Sequence, residues 1–291
     1  MQRILLIAVA AIAGFASFTQ PAVAQSRHAL VIGNSAYETV AALRTPATDA
    51  AIVSETLSAA GFDVTDLRDV RAADIGQAMR AFLDKVGAGD PTGVAFVYYS
   101  GYAAQSHGEN YLVPVDAVIN SDVDVGNEAF RLKDLVDELA QSPLAARIIV
   151  LDAARDHRFG ATSAKPVARG LARHGAIPGT LLAYPTAPGG IALDGEDDYS
   201  LYTGALVTQM RQPGLDIEQI VRKVRTQVSA ATKGTQTPWS VAALDVKPRL
   251  FEAPDANVEA SEPPPKRSRS QRNTIPVPFG IMRDIIRRAP F

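Results

Sequence analysis

The chain has 291 residues, 47% of them hydrophobic, which suits one large α/β domain with additional segments and leaves ample material for a core. It contains no cysteine, which excludes a disulfide framework and any mechanism that depends on a thiolate nucleophile. The net charge is −2, but residues 262–291 carry seven Arg or Lys against two acids, leaving about −8 on the stretch between Gln25 and that tail and excluding a basic face for nucleic acid.

Taken in order, Arg3, the apolar run Ile4 to Phe18 and Ala22-Val23-Ala24 before Gln25 follow the pattern of a secretory signal. The run is shorter than the ~20 residues of a membrane span. Cleavage after Ala24 and export, to the periplasm or beyond, are expected. A domain over 25–252 follows. His28 to Ile32 reads as a strand stopped by Gly33, and Asn34 to Leu43 as a loop. Thr45-Pro46 offers a capping residue and a proline for the first turn of a helix with Val53, Leu57 and Ala60 on its buried side. Phe62 to Val70 alternates as a second strand. Ile75, Met79, Phe82, Leu83 and Val86 mark a helix closed by Gly87, and Val94 to Ser100 a third strand.

Gly108 to Ala117 reads as a hairpin or short arm, and Leu132, Leu135, Val136 and Leu139 as a further helix. The apolar run Ala146 to Leu151, closed by Asp152, is a buried strand. The carboxyl end of a central strand is where an α/β sheet collects its functional groups, so chemistry is expected between Asp152 and Arg155. Ala153 to Pro178, with Lys165, Arg169 and Arg173, reads as an exposed loop; Thr180 to Tyr184 is a strand and Pro185 to Ser200 a loop. Helices over 201–210 and 217–228 and a closing strand over 239–244 complete the domain. Strands alternating with helices predict a three-layer, mainly parallel sheet, with the ends of the third and fourth sheet strands on one rim. From residue 253 the chain turns rich in Pro, Ser and Arg, the composition of a disordered tail. Ile281, Met282, Ile285 and Ile286 among Arg283, Arg287 and Arg288 offer a short basic amphipathic helix for a membrane surface or a partner, or else a frayed end.

Leu151-Asp152-Ala153-Ala154-Arg155 resembles the "L-D-A-C-R" nucleophile segment of bacterial caspase-like and metacaspase-like cysteine peptidases, with Ala154 at the cysteine. Tyr98-Tyr99-Ser100-Gly101-Tyr102-Ala103 resembles that family's "Y-Y-S-G-H-G", with Tyr102 at the histidine. Asn110 to Asp116, Arg169-Gly170-Leu171, Tyr184 to Gly189 and Thr237-Pro238-Trp239 follow in family order, so the resemblance spans about His28 to Leu250. It implies a caspase-like fold, a six-stranded sheet of strand order 2-1-3-4-5-6 with the last strand antiparallel. It also implies oxyanion-type donors at the amides of Ala103 and Ala154. A third implication is a pocket for a basic peptide residue formed by Asp49, Ser100 and Asp152. Those three also have plain structural uses, Asp49 as a first-turn acid, Asp152 as a strand-end acid and Ser100 as a hydroxyl bonding its own loop.

Alanine cannot attack a carbonyl, and a tyrosine with its usual pKa near ~10 is a poor base at neutral pH. The expectation is therefore a pseudopeptidase with a binding or regulatory role, directed at basic peptide segments or at an active relative. Two alternatives stand beside it. One is a hydrolase with a replacement nucleophile drawn from Ser100, Ser106, His107 and His157, although no G-x-S-x-G elbow is present. The other is a scaffold acting through its basic tail. No cofactor is called for and no H-x-x-x-H or H-E-x-x-H metal spacing occurs. The acids Asp194, Glu196, Asp197 and Asp198 offer weak calcium ligation or a solvated loop.

Overall fold

In a computed structural model, residues 25–253 are described apart from 89, 158, 161–163, 165 and 194–196. The expected leader and the tail from 254 onward lie outside the described residues, as do Lys165, Asp194 and Glu196. Six strands form one sheet in the order β2-β1-β3-β7-β8-β9. They are β2 (Asp63–Arg68), β1 (Arg27–Gly33), β3 (Val94–Ser100), β7 (Ala146–Asp152), β8 (Thr180–Tyr184) and β9 (Trp239–Ala243). All neighbours pair in parallel except β8 with β9. The strand order and the antiparallel last strand are those the resemblance implied.

Side chains alternate across this sheet, and each face has its own core. Ala29 and Val31, Phe96 and Tyr98, and Ile148 and Val150 pack against α1 (Pro46–Ala59), α5 (Leu201–Met210) and α6 (Ile217–Ala231). Leu30 and Ile32, Val97 and Tyr99, and Ile149 and Leu151 pack against α2 (Ala72–Gly87) and α4 (Leu132–Gln141). Every residue of β3, β7 and β8 is buried. Where β1 meets α1 the approach is so close that a Cβ on Gly33 would lie 2.3 Å from the Pro46 carbonyl oxygen. At the opposite rim, where the parallel strands begin, Arg27 Nη1 donates to the Leu250 carbonyl at 3.1 Å and to that of Ala60 at 3.0 Å.

Several local expectations are corrected. The hairpin is earlier than expected: β4 (Ala103–Ser106) pairs with β5 (Glu109–Leu112), joined through His107 and Gly108. Both turn residues have positive φ, 52° and 82°, the requirement of a two-residue primed turn. A short β6 (Phe130–Arg131) joins this second sheet, and an unexpected helix α3 (Asp122–Glu128) precedes it. The segment 153–178 is not uniformly exposed. Ala153, Ala154, Arg155, His157, Phe159, Val167 and Leu171 are buried because it folds back over the ends of the strands.

Thr45 is not the cap of α1. Its backbone is already helical (φ −98°, ψ −22°) and its hydroxyl makes no cap hydrogen bond. Ser35, reaching over from the preceding loop, accepts the Ala47 amide at 3.0 Å instead.

Candidate functional site

Strand alternation decides where the candidate residues point. Ser100 and Asp152 are register partners at the ends of β3 and β7. They follow Tyr98 and Val150 on the face covered by α1 and α5. The first turn of α1 brings Asp49 to that place, and the start of α5 brings Ser200 and Thr203. Ser100 Oγ donates to Asp49 Oδ2 at 3.2 Å, and the Ser200 amide donates to Asp49 Oδ1 at 2.8 Å. Asp152 Oδ2 accepts from the hydroxyls of Ser200 and Thr203, the latter at 2.9 Å, and Tyr98 Oη bonds Thr203 Oγ1. Ser200 Oγ also accepts the Thr203 amide at 2.9 Å, so one hydroxyl both caps α5 and orients an acid.

The three residues expected to form a pocket therefore converge, but on a filled space. Asp49, Ser100 and Asp152 are each 0% exposed, and the guanidinium of Arg155, itself 2% exposed, lies against both acids. Arg155 Nη2 stands 3.1 Å from Asp152 Oδ1 and 3.7 Å from Asp49 Oδ2. Among the described residues two buried acids face one guanidinium, so ionising both would leave one negative charge in excess. Burial first, and the Asp152 charge second, push Asp49 up to about 7, against the opposing pull of the Ser200 amide and Arg155. Sequence reasoning placed Arg155 at the edge of the chemistry without giving it this role, and missed Ser200 and Thr203. The available signals were a cation three residues past a strand-end acid and a serine just before a helical run.

At the two degenerate positions the side chains are packing material. Ala154 is 1% exposed, beside a crevice of about 10 Å³ lined by Leu171, Ala172, Tyr184, Thr186, Ala187 and Pro188, room for about one water. Tyr102 is 5% exposed and sits edge-on to Tyr37 and Phe159, with ring centroids 4.8 and 5.6 Å away. Its amide donates to Tyr37 Oη at 2.7 Å. Tyr102 belongs to this outer aromatic cluster and Ala154 to the α2–α4 core. The Ala103 amide, expected as an oxyanion donor, donates to the Ala153 carbonyl at 3.3 Å.

Of the replacement candidates, Ser106 Oγ lies 2.8 Å from His107 Nδ1, and Asp122 Oδ2 lies 3.8 Å from the same nitrogen. A base needs one ring nitrogen for the nucleophile and the other for the orienting acid, so these three do not form a triad. His157 is buried against Phe159 (4.7 Å, stacked), with neither ring nitrogen hydrogen-bonded, and burial lowers its pKa to about 4. Ser100 is committed to Asp49. Asp197 and Asp198 are exposed, and their carbonyls accept from Arg44 and Thr48, both at 2.6 Å. Among the described residues no cluster of three or more His, Asp or Glu is arranged to hold a metal.

No curated protein sequence matches the chain at a significant level. The family model for the caspase domain matches residues 26–247, most of the chain and all six strands of the main sheet. With the strand order, the convergence of Asp49, Ser100 and Asp152 at the strand ends and the motif segments in sequence, this places the chain in the caspase-domain family.

Proposed function

We propose that this protein is a non-catalytic caspase-domain protein whose work is binding or regulation, directed at a peptide or protein segment carrying a basic residue. The observation that carries the reading is the burial of Ala154 and Tyr102 within packing clusters, in a chain that has no cysteine to take over. Neither a nucleophile nor a base remains at the family's reacting positions, while the acids Asp49 and Asp152 persist at the strand ends and already hold a guanidinium. An active relative is a natural source of such a segment. The reading also places the mature protein outside the cytoplasm, beginning at Gln25; mass spectrometry of the native protein reads that terminus directly.

The test is twofold. Purified protein is expected to give no turnover of Arg, Lys or Asp peptide substrates, and Ala154→Cys is expected to yield a thiol that alkylates slowly because its surroundings are closed. Calorimetry should show binding of an Arg-containing peptide but not of its neutral citrulline counterpart, and loss of that binding in Asp152→Asn. Losing one partner of a desolvated charge pair costs about 2–5 kcal/mol, so the loss should be large. Turnover in a protease-free preparation, or equal binding of both peptides, overturns the reading.

A further inference from the structure

The acid site is closed by the chain's own cation. We propose that Arg155 is a tethered plug, and that the Asp49–Asp152 site takes up an external guanidinium only in exchange for it. The inference rests on the binding reading for the identity of the ligand and adds the regulation of that site.

Three observations carry it. First, the polar set suits a guanidinium: two acids, oriented by the Ser100 hydroxyl and Ser200 amide on Asp49 and by the Ser200 and Thr203 hydroxyls on Asp152. Second, Arg155 fills it fully, at 2% exposure, so no space remains for a second cation. Third, its approach is constrained by the chain. It follows Asp152 by only three residues, with Nη2 3.1 Å from Asp152 Oδ1 and 3.7 Å from Asp49 Oδ2. An arginine entering from outside is free of that tether and can present its planar fork to a carboxylate.

Exchange is also the only inexpensive route. An emptied site leaves the buried Asp152 carboxylate uncompensated, whereas one guanidinium replacing another keeps the buried charge constant. The same logic gives selectivity. An ammonium is a compact, strongly hydrated point charge that cannot span two acids in one plane, so lysine is the poorer exchanger.

The experiment uses the full chain, Arg155→Ala, and two probes: methylguanidinium, and an acetylated tetrapeptide amide with one Arg or with citrulline in its place. Arg155→Ala is expected to bind the Arg peptide at least about tenfold tighter than the parent, with the citrulline peptide unaffected. Millimolar methylguanidinium is expected to raise the melting temperature of Arg155→Ala and leave the parent unmoved. Should Arg155→Ala not fold unaided, its refolding yield with and without methylguanidinium answers the same question. Recovery supports the plug, and no recovery overturns it. A folded Arg155→Ala that binds the Arg peptide no tighter than the parent and ignores methylguanidinium overturns it as well. The two proposals fail separately. Methylguanidinium rescue with no peptide binding by either protein keeps the plug and removes the peptide reading. Peptide binding that is indifferent to Arg155→Ala keeps a binding role and removes the plug.

Discussion

Two buried titratable side chains near the strand ends work against each other across mildly acidic pH. Asp49 holds its proton up to about 7 in the fold, against about 3.9 in an unfolded chain. Its share of stability is therefore complete below about pH 4 and lost as pH climbs through 7. His157 has the opposite sign: about 4 in the fold, against about 6.5 unfolded, so its share is complete above about pH 6.5 and lost as pH falls through 4. The parent protein is expected to have a melting temperature that is comparatively flat between pH 4 and 7. Asp49→Asn removes the first effect and leaves Asp152 to pair with Arg155 alone; its melting temperature should rise across that interval. His157→Phe keeps the ring stacked on Phe159 without a titrating nitrogen, and its melting temperature should fall. A tenfold change in proton affinity between folded and unfolded chain is worth about 1.4 kcal/mol, so the slopes should be visible in melts at half-unit pH steps. Profiles that stay parallel to the parent in both variants would remove these residues as the cause.

Among the elements, α1 illustrates how a cap can be supplied from elsewhere in the chain. The Ala47 amide is satisfied by Ser35, twelve residues earlier, while the Thr45 hydroxyl makes no cap bond. Ser35→Ala should cost about 1 kcal/mol in chemical denaturation, the usual worth of a cap. Thr45→Val, which removes a hydroxyl that makes no cap bond, should cost less than Ser35→Ala. The reverse order of effects would return the cap to Thr45. Sequence alone favoured Thr45 because capping statistics are local, whereas Ser35 reaches α1 only once the loop after β1 has folded. The same division runs through the other elements. Strands β3 and β7 were legible to the residue, since uninterrupted apolar runs admit no second register. The β4–β5 hairpin was displaced because His107, not a glycine, takes the first positive-φ position of its turn. Helix α3 buries only Val125 and so leaves almost no periodic trace.

For the whole molecule, the motif segments were enough to anticipate the sheet order and the meeting of Asp49, Ser100 and Asp152. Their shared position follows from strand register and the α1 crossover, both of which topology dictates. The occupant of that meeting point was not legible. An arginine after a strand reads as a surface residue by composition, and only the packing of residues 153–155 beneath the returning segment shows that it turns inward. The two degenerate positions were legible as losses of chemistry but not as gains of packing. Tyr102 closes an aromatic cluster with Tyr37 and Phe159, so Tyr102→His is expected to destabilise the domain, and a restored dyad would lower its melting temperature.

The contact of Arg27 with the Leu250 carbonyl joins positions 223 residues apart, and Gln25, Arg27, Arg249 and Glu252 line one shallow groove. Entry to and exit from the domain thus lie side by side at the rim where the parallel strands begin, at the far pole from Asp152. The arrangement makes the chain a candidate for circular permutation. Linking Ala253 to Gln25 through a short Gly-Ser bridge and opening the exposed His107-Gly108 turn should give a protein with the parent's circular dichroism spectrum and a cooperative melt. A permutant that fails to fold would show that the hairpin must be continuous for the rim to form.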